Sequence, residues 1–200
     1  MKMLLALVVC SIVLFPLIAF AETAETSIAL KEGYVRFSNN GKSEYEGNNI
    51  MDNTFSGGGY LRIVKDETIY RLDIDTFETG NTFSQHIPIA YEKVDFESNP
   101  IMLSIGRYFT KGLYGIAGIG ILLNDMVVEQ YVPSPFDYKI DNSLGLSAII
   151  GYDFKMNKCF YSFLEGRYLY SKADVYIQGN KNHKENLSNL GMFIGIGWRF

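Results

Sequence analysis

Four charged residues lie two apart on short segments: Asp73 with Asp75, and Glu165 with Arg167. Paired carboxylates serve general acid–base chemistry when their surroundings set their protonation apart. The same spacing arises wherever a strand alternates, because a period of two places polar residues together on one face. The segments around both pairs do alternate, so a salt-bridged interior is the preferred reading. The histidines are His86 and His183, each in a polar stretch with no further ligands at a metal-binding spacing. Gly115-x-x-Gly118-x-Gly120 lacks the strand-then-helix context of a nucleotide loop, and Gly57-Gly58-Gly59 lacks the Lys-Ser/Thr of a phosphate loop. No catalytic, cofactor-binding or metal-binding residue is assigned.

The elements that hold these residues come from a chain of 200 residues, enough for one domain. Residues 1–21 read as a secretory signal: Lys2, an apolar run over 3–18, and the small-x-small site Ala19-Phe20-Ala21. The mature domain is then 22–200. Losing Lys2 takes the formal charge from −4 to −5. A chain without basic excess excludes nucleic acid as the expected partner. Cys10 follows Val9 rather than a small residue, which argues against lipid attachment. Cleavage leaves Cys159 without a disulfide partner in its own chain. No later segment has the continuous apolar length of a membrane helix.

Alternation dominates the rest. In 189–200, NLGMFIGIGWRF, Leu190, Met192, Ile194, Ile196, Trp198 and Phe200 share one face; Gly191, Gly195, Gly197 and Arg199 share the other. In 143–154, Leu144, Leu146, Ile150, Tyr152 and Phe154 oppose Ser143, Gly145, Ser147, Gly151 and Asp153, with Ile149 an exception. In 67–77, Tyr70, Leu72 and Ile74 oppose Arg71, Asp73 and Asp75. In 159–171, Leu164, Tyr168 and Tyr170 oppose Glu165 and Arg167. In 57–64, Leu61 and Ile63 oppose Tyr60 and Arg62; in 31–38, Val35 and Phe37 oppose Tyr34 and Arg36. The pair 100–109 and 113–123 is apolar on both faces and leaves its register open.

These segments predict eight strands. Tight turns at 65–67, 110–112 and 155–158 alternate with long polar stretches at 39–56, 78–99, 124–142 and 172–186. Short and long connections in alternation describe an antiparallel meander with two unlike ends. A sheet that crosses lipid must close, since lipid cannot satisfy an edge. The fold class expected is all-β: an eight-stranded antiparallel up-and-down transmembrane β-barrel, with short periplasmic turns and long outer loops. Its bore is just wide enough for side chains to fill. Arg36, Arg62, Arg71, Arg167 and Arg199 are then expected inside, paired with Glu32, Asp73, Asp75, Asp153 and Glu165.

The layout of the mature chain, and above all the terminal GIGWRF, resembles the small bacterial outer-membrane barrels of the opacity, OmpX and OmpA-transmembrane-domain type. That resemblance implies an outer-membrane location, contact with outer-membrane lipid and lipopolysaccharide, and recognition of the closing strand ending Phe200 by the barrel-assembly machinery. It also leaves no room for an appended periplasmic domain.

A non-enzymatic, structural or adhesive role is expected, with loops 78–99 and 124–142 as candidate contacts for host or envelope ligands. Phe83, Ile87, Ile89, Tyr91, Val94 and Phe96 make the first of these apolar for a loop; such residues either form an interaction surface or extend the strands beyond the membrane. One alternative is a narrow, porin-like pore for small solutes. Another is a lipid-modifying enzyme; a lipid A deacylase of this size would carry a His and a Ser two residues apart. His183 is followed by Lys184-Glu185 and His86 by Ile87-Pro88.

Overall fold

The structure is a computed structural model that describes residues 24–37, 53–84, 91–130, 138–177 and 179–200. The signal segment 1–21 and His86 lie outside the described residues.

Among the described residues ten strands form in chain order: β1 (Glu25–Phe37), β2 (Thr54–Lys65), β3 (Thr68–Ser84), β4 (Tyr91–Tyr108), β5 (Leu113–Gln130), β6 (Tyr138–Ile140), β7 (Ser143–Lys155), β8 (Phe160–Ile177), β9 (Asn180–Asn186) and β10 (Asn189–Arg199). Eight of them, β1–β5, β7, β8 and β10, close into an antiparallel barrel in which β10 pairs with both β8 and β1. The short β6 and β9 pair only with the upper part of β8. The described residues contain no helix long and apolar enough to cross a membrane; the crossing is made by strands.

One row of hydrogen-bonded partners shows how the wall is pitched. It runs Ser27, Arg62, Arg71, Ser104, Gly118, Ser147, Leu169, Asn189 and returns to β1 at Phe37, ten residues beyond its start. A stagger of this size over eight strands corresponds to a tilt of about 40°. The barrel is narrow, and its glycines admit close neighbours. A Cβ on Gly197 would strike the Tyr161 ring, and one on Gly195 would strike Phe163 and the Leu30 carbonyl.

The periplasmic connections are tight. Asp66 and Glu67 both adopt left-handed φ, 50° and 67°, which turns the chain in two residues with the twist a hairpin favours. Gly112, at φ 104°, completes the next turn. The third is closed by Asn157, whose side-chain oxygen accepts from the backbone N–H groups of Cys159 and Phe160.

Two expectations need correction, and one open point is settled. First, the stretches 78–99, 124–142 and 172–186 are largely strand. β3 and β4 stay paired as far as Ser84 and Tyr91, and β4 and β5 as far as Glu92 and Gln130. Backbone pairing of 78–84 with 91–97 continues the sheet beyond the lipid belt. Second, β1 is turned the other way. Val35 and Phe37 are buried in the lumen, while Glu32, Tyr34 and Arg36 face outward. The strand begins at Glu25, and Ile28 and Leu30 share a face with Glu32, so their contact with lipid decides the parity of the whole strand. The register of the central pair, which the sequence leaves open, sets Tyr108 opposite Tyr114 and Ile101 opposite Ile121.

Candidate functional site

The only dense arrangement of ionisable side chains among the described buried residues fills the bore. β1 supplies Lys31, β2 Arg62, β3 Arg71, Asp73 and Asp75, β7 Asp153, and β8 Glu165 and Arg167; all are buried. Alternation carries each one inward, and closure of the sheet brings the strands face to face.

Arg71 is the centre. Its Nε donates to Asp73 Oδ2 at 2.9 Å and its Nη2 to Asp73 Oδ1 at 2.6 Å. From the same guanidinium, Nη2 donates to Glu165 Oε2 at 2.9 Å, and Nη1 donates to Glu165 Oε1. The planar fork therefore grips two carboxylates, and it lies over the Tyr60 ring at 3.7 Å from the centroid. Tyr114 donates its hydroxyl to Glu165 Oε1 at 2.5 Å. Lys31 donates to Asp73 Oδ1 at 2.6 Å and stands 3.0 Å from Asp75 Oδ1; Arg167 pairs with Asp75.

A second layer lies nearer the periplasm. Arg62 Nη2 stands 2.9 Å from Asp153 Oδ2 without the alignment of a hydrogen bond, so this contact is chiefly Coulombic. Tyr108 donates to the same oxygen at 2.6 Å. Tyr161 lies beneath both Arg62 and Arg199, at 4.6 and 4.7 Å, and donates to Ser27. Arg199 reaches Glu25 at 3.1 Å at the rim. Below this layer an open cleft of about 800 Å³ is lined by Tyr108, Lys111, Asp153, Lys155 and Arg199.

The chemistry of this site is mutual neutralisation. Each carboxylate is held by a fixed cation, and aromatic rings pack between the pairs. A buried charge left without partners would be strongly destabilising. Asp73, Asp75, Glu165 and Arg167 are thus brought together as the interior pairing predicts, although Glu165 pairs with Arg71 and Arg167 with Asp75 across the bore. Arg36 and Glu32 do not join them. Lys31, which sequence reasoning missed, does. Its signal was the shared parity with Ser27 and Ala29. Ile149, the exception on its polar face, packs inside with Ile69, Tyr114 and Ile116.

Toward the outside the lumen changes character. Val35, Phe37, Phe77, Phe96, Met102, Leu122, Leu169, Val175, Leu187 and Phe193 form one apolar cluster that caps the charged layers. Among the described residues no three His, Cys, Asp or Glu side chains are grouped as a metal site requires. The backbone of His183 pairs with Val175 in β9, apart from the charged layers. Cys159 is exposed in a periplasmic turn.

Outside the wall, the belt is apolar. Leu144, Leu146, Ile150, Leu190, Met192, Ile194 and Ile196 are exposed there, with Tyr168 and Tyr170 toward one edge and Tyr152, Phe154, Phe160 and Trp198 toward the other. An apolar belt between aromatic borders on a closed sheet is the surface of a protein in lipid. The class defined by fold and surface is the small bacterial outer-membrane β-barrel.

Solved structures carry the same fold. The outer membrane protein OprG from Pseudomonas aeruginosa matches with a TM-score of 0.61 at 14% identity, over 88% of this chain and 96% of that one. E. coli Outer Membrane Protein W matches with a TM-score of 0.51 at 16% identity, over 90% and 100%. AlkL, determined in lipid bilayers, matches with a TM-score of 0.50 at 12% identity, over 88% and 90%. No family model and no curated protein matches the sequence.

Proposed function

We propose that this protein is a closed, non-enzymatic surface barrel whose outer strand extensions and connections bind envelope or host ligands. The observation that carries this reading is the filled bore. Two layers of ion pairs and an apolar cap occupy the lumen from Asp153 to Phe37. What the fold presents instead is a sheet that outlasts the belt. On β3, Ile74 gives way to Thr76 and Glu78; on β4, Ile101 gives way to Asn99 and Glu97; on β5, Leu123 gives way to Asp125. Pairing among these strands continues outward, so the segments 78–84, 91–99 and 124–130 rise as a supported wall.

Two experiments test the reading. In planar bilayers the folded protein is expected to show no steady conductance. Shortening the β3–β4 extension is expected to abolish binding to envelope or host ligands while leaving the barrel inserted. A steady ohmic conductance would instead establish the pore. A change in lipid A structure that depends on the protein would establish an enzyme.

The closing strand is proposed as the segment read by the barrel-assembly machinery. Phe200 stays exposed at its end, while its backbone N–H donates to the Thr26 carbonyl at 3.0 Å. Phe200→Ala is expected to slow assembly in cells and to leave unaided folding into lipid vesicles unchanged.

A further inference from the structure

The cleft at the periplasmic mouth carries an excess of positive charge. Three carboxylates line it, and each already has a cation: Glu25 has Arg199 at 3.1 Å, Glu67 has Arg107 at 3.1 Å, and Asp153 has Arg62 at 2.9 Å. Lys111 and Lys155 line the same cleft and are left over. Both are exposed, and among the described residues no hydrogen bond or ion pair engages either ammonium. Backbone pairing brings their chain segments together. The Asp153 N–H donates to the Gly112 carbonyl at 2.9 Å, so Lys111 on the β4–β5 turn and Lys155 at the end of β7 extend just past the last joined residues of adjacent strands. Two uncompensated ammonium groups on one notch, with the Thr110 hydroxyl also on its lining, suit the oxygens of a phosphate.

The notch also reaches the lipid. Tyr152 and Phe154 line it, and both point outward from β7, 40% and 50% exposed, with their rings 4.8 Å apart. They belong to the aromatic border at the periplasmic edge of the belt. The Tyr152 ring lies close against the turn, where a Cβ on Gly112 would come within 3.0 Å of it, so the apolar wall and the basic rim are contiguous. A molecule that uses both surfaces needs an anionic head and an apolar body. A small inorganic anion would use only the first. A phospholipid uses both, and its headgroup lies at the depth of the aromatic border.

We propose that this notch is a binding site for an anionic phospholipid of the periplasmic leaflet, with its phosphate held between Lys111 and Lys155. The ends of its acyl chains nearest the glycerol lie against Tyr152 and Phe154.

Photo-cross-linking tests this on the folded protein in phosphatidylcholine vesicles. The probe is a small fraction of phosphatidylglycerol that carries a diazirine on one chain near the glycerol, and adducts are mapped by mass spectrometry. They are expected to concentrate on residues 109–113 and 152–156. Lys111→Gln and Lys155→Gln should each lower the adducts there about fivefold, the worth of one basic residue beside anionic lipid. Adducts on 190–196 of β10 should stay unchanged. Phosphatidylcholine with the same diazirine should label both regions alike. Heat-dependent gel migration reports that each variant is folded. Equal labelling of the notch by the two lipids would overturn the proposal, as would lysine variants that label like the parent protein. Loss of the notch adducts to inorganic phosphate, but not to sodium chloride at matched ionic strength, would show a site for free anions and would overturn it too.

Discussion

Arg71 and Glu165, 94 positions apart in the chain, meet across the bore through two parallel hydrogen bonds, one of them 2.9 Å from Nη2 to Oε2. This contact joins β3 to β8 through the interior, where their backbones do not pair. Removing one member strands the other in a dry site. Glu165→Leu is therefore expected to cost about 3–5 kcal/mol, because Arg71 keeps only Asp73 as a close counter-charge. Arg71→Met combined with Glu165→Leu should cost less than the sum of the single changes. Urea unfolding in lipid vesicles, read as a midpoint shift, measures both; strict additivity would contradict the pairing.

Leu72 faces outward beside Leu61 and Leu103, and with 9% exposure it is covered by its neighbours. Leu72→Arg is expected to destabilise the inserted barrel by about 2–4 kcal/mol, the cost of a cation on the lipid face near mid-depth. The complementary measurement is labelling from the lipid phase. A probe should reach Ile74→Cys, on the same face and 46% exposed, in a Cys159→Ser background and should not reach Arg71→Cys.

Trp198 stacks on Phe160 with centroids 6.4 Å apart and leans against Phe200. All three sit at the end of the belt nearest the periplasmic turns. Trp198 fluorescence should therefore be quenched most strongly by probes near the interface. Maximal quenching at the bilayer centre would contradict the register of β10.

Beyond the membrane, Lys181 on β9 donates to Asp174 on β8 at 2.7 Å. That hydrogen bond holds the Asp174 carboxyl below its ordinary value, with the Lys181 and Lys184 charges adding to it. A depressed carboxyl stabilises the fold above its unfolded pKa, and the contribution disappears as pH falls through the folded value. Amide protection along β9, corrected for intrinsic exchange, is expected to hold steady near neutrality and to fall on acidification below the usual aspartate range. Asp174→Asn should remove that dependence.

The sequence by itself determined the class of fold and most of its inside and outside. Period-two alternation on β3, β7, β8 and β10 is enforced by lipid on one side and a crowded bore on the other, so Arg71, Asp153, Glu165 and Arg199 were legible as inward residues. It also showed that these charges must be paired, because a cation in a narrow lumen has no water to fall back on. It did not show which cation meets which carboxylate. Lys31 reaches Asp73, and Arg167 reaches Asp75, only because closure with a ten-residue stagger sets those strands at matching levels. The stretch 31–38 alone admitted two facings, each with charges on either side. The tertiary structure chose between them through Ile28 and Leu30, which lie against lipid, and through Val35 and Phe37, which complete the apolar cap. It also turned expected loops into strand, since each outer extension gains its hydrogen bonds from the strand beside it. Pairing of that kind is a property of the closed wall, and no single segment encodes it.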